Sequence, residues 1–289
     1  MSRTAILKKT VLITGSSSGF GLLTSLTLAR RGWHVLATMR DLGRREKLES
    51  AAREFGALEH IEVLPLDVTN TDQIVQTAEL VEKRGEPLHA LVNNAGFAVP
   101  GFAEEVTDAE LRDQFETNFF GAVALTRALI PRMRRQGFGH VVMVSSISGR
   151  TGFPGVSSYV ASKFALEGWA ETLRLEMAAL GIKVAIVEPG SFETDIWTRN
   201  AKLTAKMSDR GSPNAARRER WQARIEASAK SRANPQAVAD LIARIVETPE
   251  PKLRYVIGKD AKMALLMRRM LPSGVFERLM VKLSGMDRA

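Results

Sequence analysis

The chain has 289 residues, 45% hydrophobic and 25% charged, an ordinary globular composition at a length one doubly wound α/β sheet often fills. It has no cysteine, which excludes a disulfide framework, a thiolate metal site and a thiol nucleophile. Its formal charge is +9, no run approaches the ~18 apolar residues of a membrane span, and Met1–Lys9 lacks the apolar core of a signal peptide, so the sequence predicts a soluble, cytoplasmic protein.

Short β-branched runs alternate with longer segments of helical period, the signature of βαβ units and a parallel sheet. Thr10–Thr14 is the first predicted strand, followed by a helix over 19–31. Val35–Met39 is the second strand and leads into a charged helix reaching Phe55. Ile61–Leu66 is the third, followed by a helix over Thr71–Arg84, and Ala90–Val92 is the fourth. A long helix is expected over Asp108–Gln136, then a strand at His140–Val144, another long helix over Ser157–Leu180 and a strand at Lys183–Val187. Residues 191–234 are polar, basic and poorly periodic, up to a helix at Pro235–Glu247. Arg254–Ile257 supplies a seventh strand, and the Leu/Met-rich tail reads as two amphipathic helices broken at Pro272. The expected fold is one Rossmann-like doubly wound sheet of about seven strands spanning 1–289. Residues 191–234 form its substrate-loop region, and 260–289 a helical C-terminal extension.

The turn between the first strand and first helix reads Thr14-Gly15-Ser16-Ser17-Ser18-Gly19-Phe20-Gly21. At this junction a glycine-rich turn lets backbone N–H groups approach a pyrophosphate at the positive end of the helix. Gly15 makes the sharp turn, Gly19 removes a Cβ from the phosphate path, and Gly21 brings the helix close to the strand. An NAD site usually offers a carboxylate at the end of the second strand. Here that end reads Met39-Arg40, with Asp41 beyond it. Arg40 can fork onto a 2′-phosphate, with Ser18 adding a hydroxyl, which favours NADP(H). The alternative is that Arg40 faces solvent and Asp41 serves NAD(H).

Tyr159 and Lys163 stand four apart near the start of a helix, on one face. An ammonium beside a phenol favours the phenolate and lowers its pKa. Ser146 lies just past the fifth strand, where ligands of parallel sheets bind; its neighbour Ser145 is a rival, because adjacent strand residues point to opposite faces.

Together these pieces make the chain resemble the short-chain dehydrogenases/reductases of single-domain type, from Thr10 to about Ile257. The resemblance rests on the TGSSSGFG turn, Asp67-Val68, the Asn93–Gly96 run, Asn118, Ser146, the YVASK motif at 159–163, and Pro189-Gly190 with Thr194. It implies that Tyr159 is the acid/base, Lys163 its tuner and ribose ligand, Ser146 (not Ser145) the holder of the substrate oxygen, and Asn118 the organiser of a water relay. It also implies adenine contacts at Asp67 and Val68, a ribose side lined by Asn94, Ala95 and Gly96, and Pro189, Gly190 and Thr194 near the carboxamide. Ser17 and Phe20 belong to the same cofactor cradle, and Asn93 braces its strand. The strand end, the Glu188-Pro189-Gly190 spelling and the C-terminal extension are similar to the 17β-hydroxysteroid and retinol dehydrogenase subgroup. The long helices over 108–136 and 157–180 offer a face for a homodimer or homotetramer, as that family commonly forms.

The substrate pocket is expected from Phe97–Val99, Ile147–Phe153, Phe192–Trp197 and part of the tail, an apolar lining suited to a ketone or aldehyde. Because cells keep NADP largely reduced, carbonyl reduction is the expected direction. From Arg199 to Arg232 ten Lys/Arg face three Asp/Glu, either a solvated basic face or a landing surface for an anionic substrate or carrier. With Trp221 its only aromatic, this stretch has no stacking platform for nucleic acid. A 3-oxoacyl-carrier-protein reductase and a non-enzymatic NADP sensor are the rival functions. The histidines, His34, His60, His89 and His140, stand at strand starts without metal-ligand spacing, and no metal is expected.

Overall fold

The computed structural model describes residues 9–209, 211–229 and 231–287. Residues 1–8, where a signal peptide was sought, lie outside these, as do Arg210 and Lys230 of the basic segment.

The β-branched runs form seven strands: β1 (Thr10–Ile13), β2 (His34–Met39), β3 (Ile61–Pro65), β4 (Leu88–Asn93), β5 (Gly139–Val144), β6 (Ile182–Pro189) and β7 (Arg254–Ile257). All pair in parallel, in the order β3-β2-β1-β4-β5-β6-β7. The chain runs outward from β1 to β3, then crosses back to β4. A crevice therefore opens beyond the carboxyl ends of β1 and β4, where ligands of such sheets bind.

Alternation along β1 divides the core in two. Val11 and Ile13 face one layer, with Leu22, Leu26 and Leu28 of α1 (Gly19–Arg30) and Val238, Ile242 and Ile245 of α8 (Gln236–Glu247); α2 (Glu46–Glu54) adds Leu48 and Ala52. Leu12 faces the other layer, with Ile74 and Val81 of α3 (Thr71–Lys83), Leu125 and Leu129 of α5 (Gly121–Gln136) and Leu166 and Leu173 of α6 (Ser157–Met177). Burial on both faces explains why the central strands read as continuous apolar runs.

Three expectations need correction. The single helix expected over 108–136 is α4 (Asp108–Phe115), a π-helical turn (Glu116–Phe120) and α5. Such an inserted turn is frequent near functional sites, and this one carries Asn118. Residues 191–234, read as a poorly periodic loop region, contain a helix, α7 (Ala215–Ala229). Thr14 leaves the strand; its Oγ1 instead accepts from Asn94 N and Ala95 N, both at 2.9 Å. The tail breaks at Pro272 as expected, giving α9 (Lys259–Met270) and α10 (Ser273–Ser284).

Candidate active site

A cleft of about 1410 Å³ occupies the crevice above β1 and β4. Drug-sized ligands usually fill ~300–1,000 Å³, so this volume holds a long cofactor with room for a second molecule. Its floor is the glycine-rich turn. Gly15 and Gly19 adopt φ +70° and +54°, the left-handed region that disfavours a side chain. A Cβ on Gly21 would stand 2.3 Å from Gly15 O, so only glycine lets α1 start this close to the turn. The Asn94 side chain braces the same turn, donating from Nδ2 to Thr14 O at 2.8 Å.

Ser17, Ser18, Gly19, Phe20, Arg40, Asp67, Val68, Asn94, Ala95, Gly96, Pro189, Gly190 and Thr194 all line this cleft, as do Ser146, Tyr159 and Lys163. Gly21 and Asn118 do not; Gly21 acts through packing, and Asn118 lies buried behind the wall. Asn118 Nδ2 donates to Phe97 O at 3.0 Å and to Ser162 Oγ at 3.3 Å, while its Oδ1 accepts from Phe97 N at 3.1 Å. Its direct partners are thus backbone and a serine, with Lys163 not among them. Asn93 braces β4 as expected, donating to Thr126 Oγ1 at 2.8 Å.

At the end of β2, Arg40 is exposed and forms no ion pair among the described residues. Asp41 is already engaged: its Oδ1 accepts from Gly43 N at 2.9 Å, and Oδ2 lies 3.7 Å from Arg44. Arg44 also lines the cleft and went unnoticed in the sequence. Ser18 Oγ accepts from Asn200 Nδ2 at 3.2 Å, another contact that sequence spacing did not suggest.

Tyr159 and Lys163 share one buried face of α6 beside the end of β5. Lys163 Nζ donates to Val144 O at 2.9 Å and sits 5.7 Å from the centre of the Tyr159 ring. The Ser146 hydroxyl and the Tyr159 phenol face the same cleft, close enough for the serine to favour the phenolate. Ser145 Oγ instead lies toward Gly149 and Glu167: a Cβ on Gly149 would come within 2.8 Å of it and 2.7 Å of Glu167 Cγ. The two hydroxyls thus diverge, as alternation requires, and Ser146 is the serine beside the phenol. One expectation reverses. Burial pushes the Tyr159 phenol up to about 12, with the Ser146 hydroxyl only opposing, and pushes Lys163 down to about 8. Desolvation dominates both groups.

A profile describing the short chain dehydrogenases matches residues 9–204. The chain belongs to that family. It is 39% identical over 276 residues to the uncharacterized oxidoreductase YusZ of Bacillus subtilis, covering 95% of this chain and 98% of that protein. It is 36% identical to retinol dehydrogenase 8 of Bos taurus, covering 92% and 86% of the two chains. Among solved structures, a short-chain dehydrogenase from Streptomyces avermitilis superposes with a TM-score of 0.80 at 34% identity, over 99% of this chain and 97% of that one. The protein is accordingly an oxidoreductase that interconverts alcohols and carbonyls of small molecules with an NAD(P) cofactor, and its residues fit one. The positive-φ glycines leave a bare backbone cradle, and Arg40, which lines the same cleft, forms no ion pair among the described residues.

The apolar side of this short-chain dehydrogenase's cleft packs directly on the phenol. Trp197 meets the Tyr159 ring edge-on at 5.4 Å, and Phe153, Ile196 and Trp221 complete the cluster with Ala98 and Val156. Trp221 comes from α7, the helix the sequence reading passed over. Opposite, Asp260 of α9 abuts Gly190, where a Cβ would collide at 2.2 Å, and Asp260 Oδ2 accepts from Ser191 N at 2.6 Å.

Behind the site a charge cluster joins three segments of the wall. Arg254 of β7 pairs with Glu167 and Glu171 of α6 and, at 3.0 Å, with Glu188 at the end of β6. Arg150, just beyond Ser146, also pairs with Glu188 at 3.0 Å. Glu188 is wholly buried, and that burial pushes its carboxyl upward while Arg150 pulls it back. Arg254→Met would remove the arginine paired with buried Glu167 and leave buried Glu188 with Arg150 alone. Removing one partner of a buried pair costs ~3–5 kcal/mol, so thermal unfolding should show Tm lower by several degrees or more. An unchanged Tm would mean the cluster is dispensable.

Proposed function

We propose that this enzyme reduces apolar ketones or aldehydes with NADPH, and that Tyr159 delivers the proton to the carbonyl oxygen. The observation that carries this reading is the convergence of Ser146, Tyr159 and Lys163 on one cleft, with the phenol set against the aromatic wall and Lys163 one helical turn on. Arg40 and Ser18 would hold a 2′-phosphate, Asp67 and Val68 the adenine, and Lys163 the ribose next to the nicotinamide. When bound, the dinucleotide supplies the hydride. Ser146 holds the substrate oxygen within reach of Tyr159, and the phenol proton passes to that oxygen as it gains charge. Trp197, Trp221 and Phe153 exclude water from this exchange and favour a bulky apolar substituent.

The carrier-protein reading loses support from its own charges. Arg218 is buried against Glu105, Lys202 pairs with Asp113, Arg199 with Asp195, and Arg217 stacks on Phe102. Much of the basic segment is spent internally, leaving less of it to meet an acidic carrier.

Acid delivery fixes the sign of a pH profile. A phenol held up to about 12 is protonated at every working pH, and Lys163, held down to about 8, carries its charge only below that value. With NADPH and a long-chain ketone, kcat/KM, which reports the free enzyme, should stay level from about pH 6 to 8 and decline above. A rise across that window would mean the phenolate is the working form in reduction. Activity confined to an acyl thioester would replace the apolar substrate with the carrier-bound one.

A further inference from the structure

The C-terminal helix pair carries a surface that the redox chemistry does not use. On α9 the small side chain Ala261 faces the body of the protein and is buried, with Leu265 half-buried on the same side. The opposite side presents Met263, Leu266 and Met270, at positions i, i+3 and i+7, and these are 55%, 54% and 71% exposed. An amphipathic surface helix normally does the reverse, turning its long apolar side chains inward. On α10, Val275, Val281 and Leu283 are also exposed. Six of the fifteen large hydrophobic residues exposed among the described residues therefore fall within this short tail, too dense a concentration for scattered surface apolars.

Charge selects what covers this face. From Lys259 to Ser284 there are six Lys/Arg against two Asp/Glu, and one of those acids, Asp260, is engaged with Ser191 N. None of the six cations forms an ion pair among the described residues, unlike Arg199, Lys202 and Arg218 of the substrate loop. Lys259, Lys262 and Arg269 flank the Met/Leu stripe itself. A second copy of the chain docking by the same face would set these cations against their own counterparts. An anionic bilayer instead offers negative headgroups to the cations and acyl chains to the stripe, the combination by which interfacial helices bind.

We propose that α9 and α10 are a docking surface for an anionic lipid bilayer. The same two helices help form the cleft, with Asp260, Leu283 and Ser284 in its lining. Docking therefore brings the catalytic cleft to the membrane, where an apolar carbonyl compound would be concentrated.

The test is co-sedimentation of the full-length protein with phosphatidylcholine vesicles, with and without phosphatidylglycerol. Phosphatidylglycerol should strengthen binding at least tenfold, and added salt should weaken it. Lys262→Gln with Arg269→Gln should lower binding by about 25-fold, about fivefold for each cation lost near the surface. Leu266→Glu with Met270→Glu should abolish sedimentation while NADPH binding, read by quenching of tryptophan fluorescence, is kept, showing that the variant folds. None of these readouts requires turnover, so they stand or fall separately from the substrate assignment. No binding to either vesicle, or undiminished binding by the Leu266/Met270 variant, overturns the proposal. So does conversion of a dimer to a monomer by that variant, which would identify a second copy as the occupant.

Discussion

Tyr159→Phe should lower NADPH-dependent carbonyl reduction by roughly 10²–10⁴-fold, the usual contribution of a positioned proton donor. The change deletes one oxygen and keeps the ring, so the edge-on contact with Trp197 at 5.4 Å and the packing of the apolar wall persist. Cofactor affinity should therefore stay within about twofold, because the loss is of a transition-state interaction and not of uniform binding. Circular dichroism and Tm serve as controls for folding. A variant that retains half its turnover would move the proton donor elsewhere, to Ser146 or to water.

Arg40→Asp should exchange the cofactor preference. In the wild type, Arg40 lines the cleft with no ion pair among the described residues, while Asp41 is committed to Gly43 N and Arg44. A hydrogen bond to a charged group contributes ~1.5–3 kcal/mol, so replacing Arg40 with a carboxylate should weaken NADPH by roughly 10–100-fold. The new acid would also repel a 2′-phosphate and accept from a 2′-hydroxyl, so NADH affinity should improve. Fluorescence titration with both dinucleotides checks this. Equal affinities in the wild type would return the 2′-hydroxyl role to Asp41.

Some features of the site could be read from the residues because their physics is local. A glycine that must adopt positive φ, a Tyr–Lys pair on one helix face and a serine at a strand end are set by a few neighbouring residues, and Gly15, Ser146, Tyr159 and Lys163 all line one cleft. The parallel sheet of seven strands was likewise legible in the alternation of strands and helices. What went unread depends on distant partners. α7 was hidden because its polar residues bury by pairing: Arg218 is almost wholly covered against Glu105, which lies 113 residues away, and also donates to Asp209 O. The π turn inserts one residue into a helix, a change that a 3.6-residue period does not register. The reversed shift of the Tyr159 phenol is a matter of how much water the fold leaves beside it, and Arg254 meets Glu167 and Glu188 from 87 and 66 residues away.

The central claim is that a hydride leaves the nicotinamide for a carbonyl carbon in the cleft beside Tyr159. Incubating the enzyme with NADPH deuterated at the transferable C4 position and an aliphatic ketone or aldehyde puts this to the most direct test. Mass spectrometry of the product should find one deuterium on the carbinol carbon of the wild-type product, and negligible product from Tyr159→Phe. Product alcohol without that label, or no alcohol from any apolar carbonyl compound despite tight NADPH binding, would contradict the account.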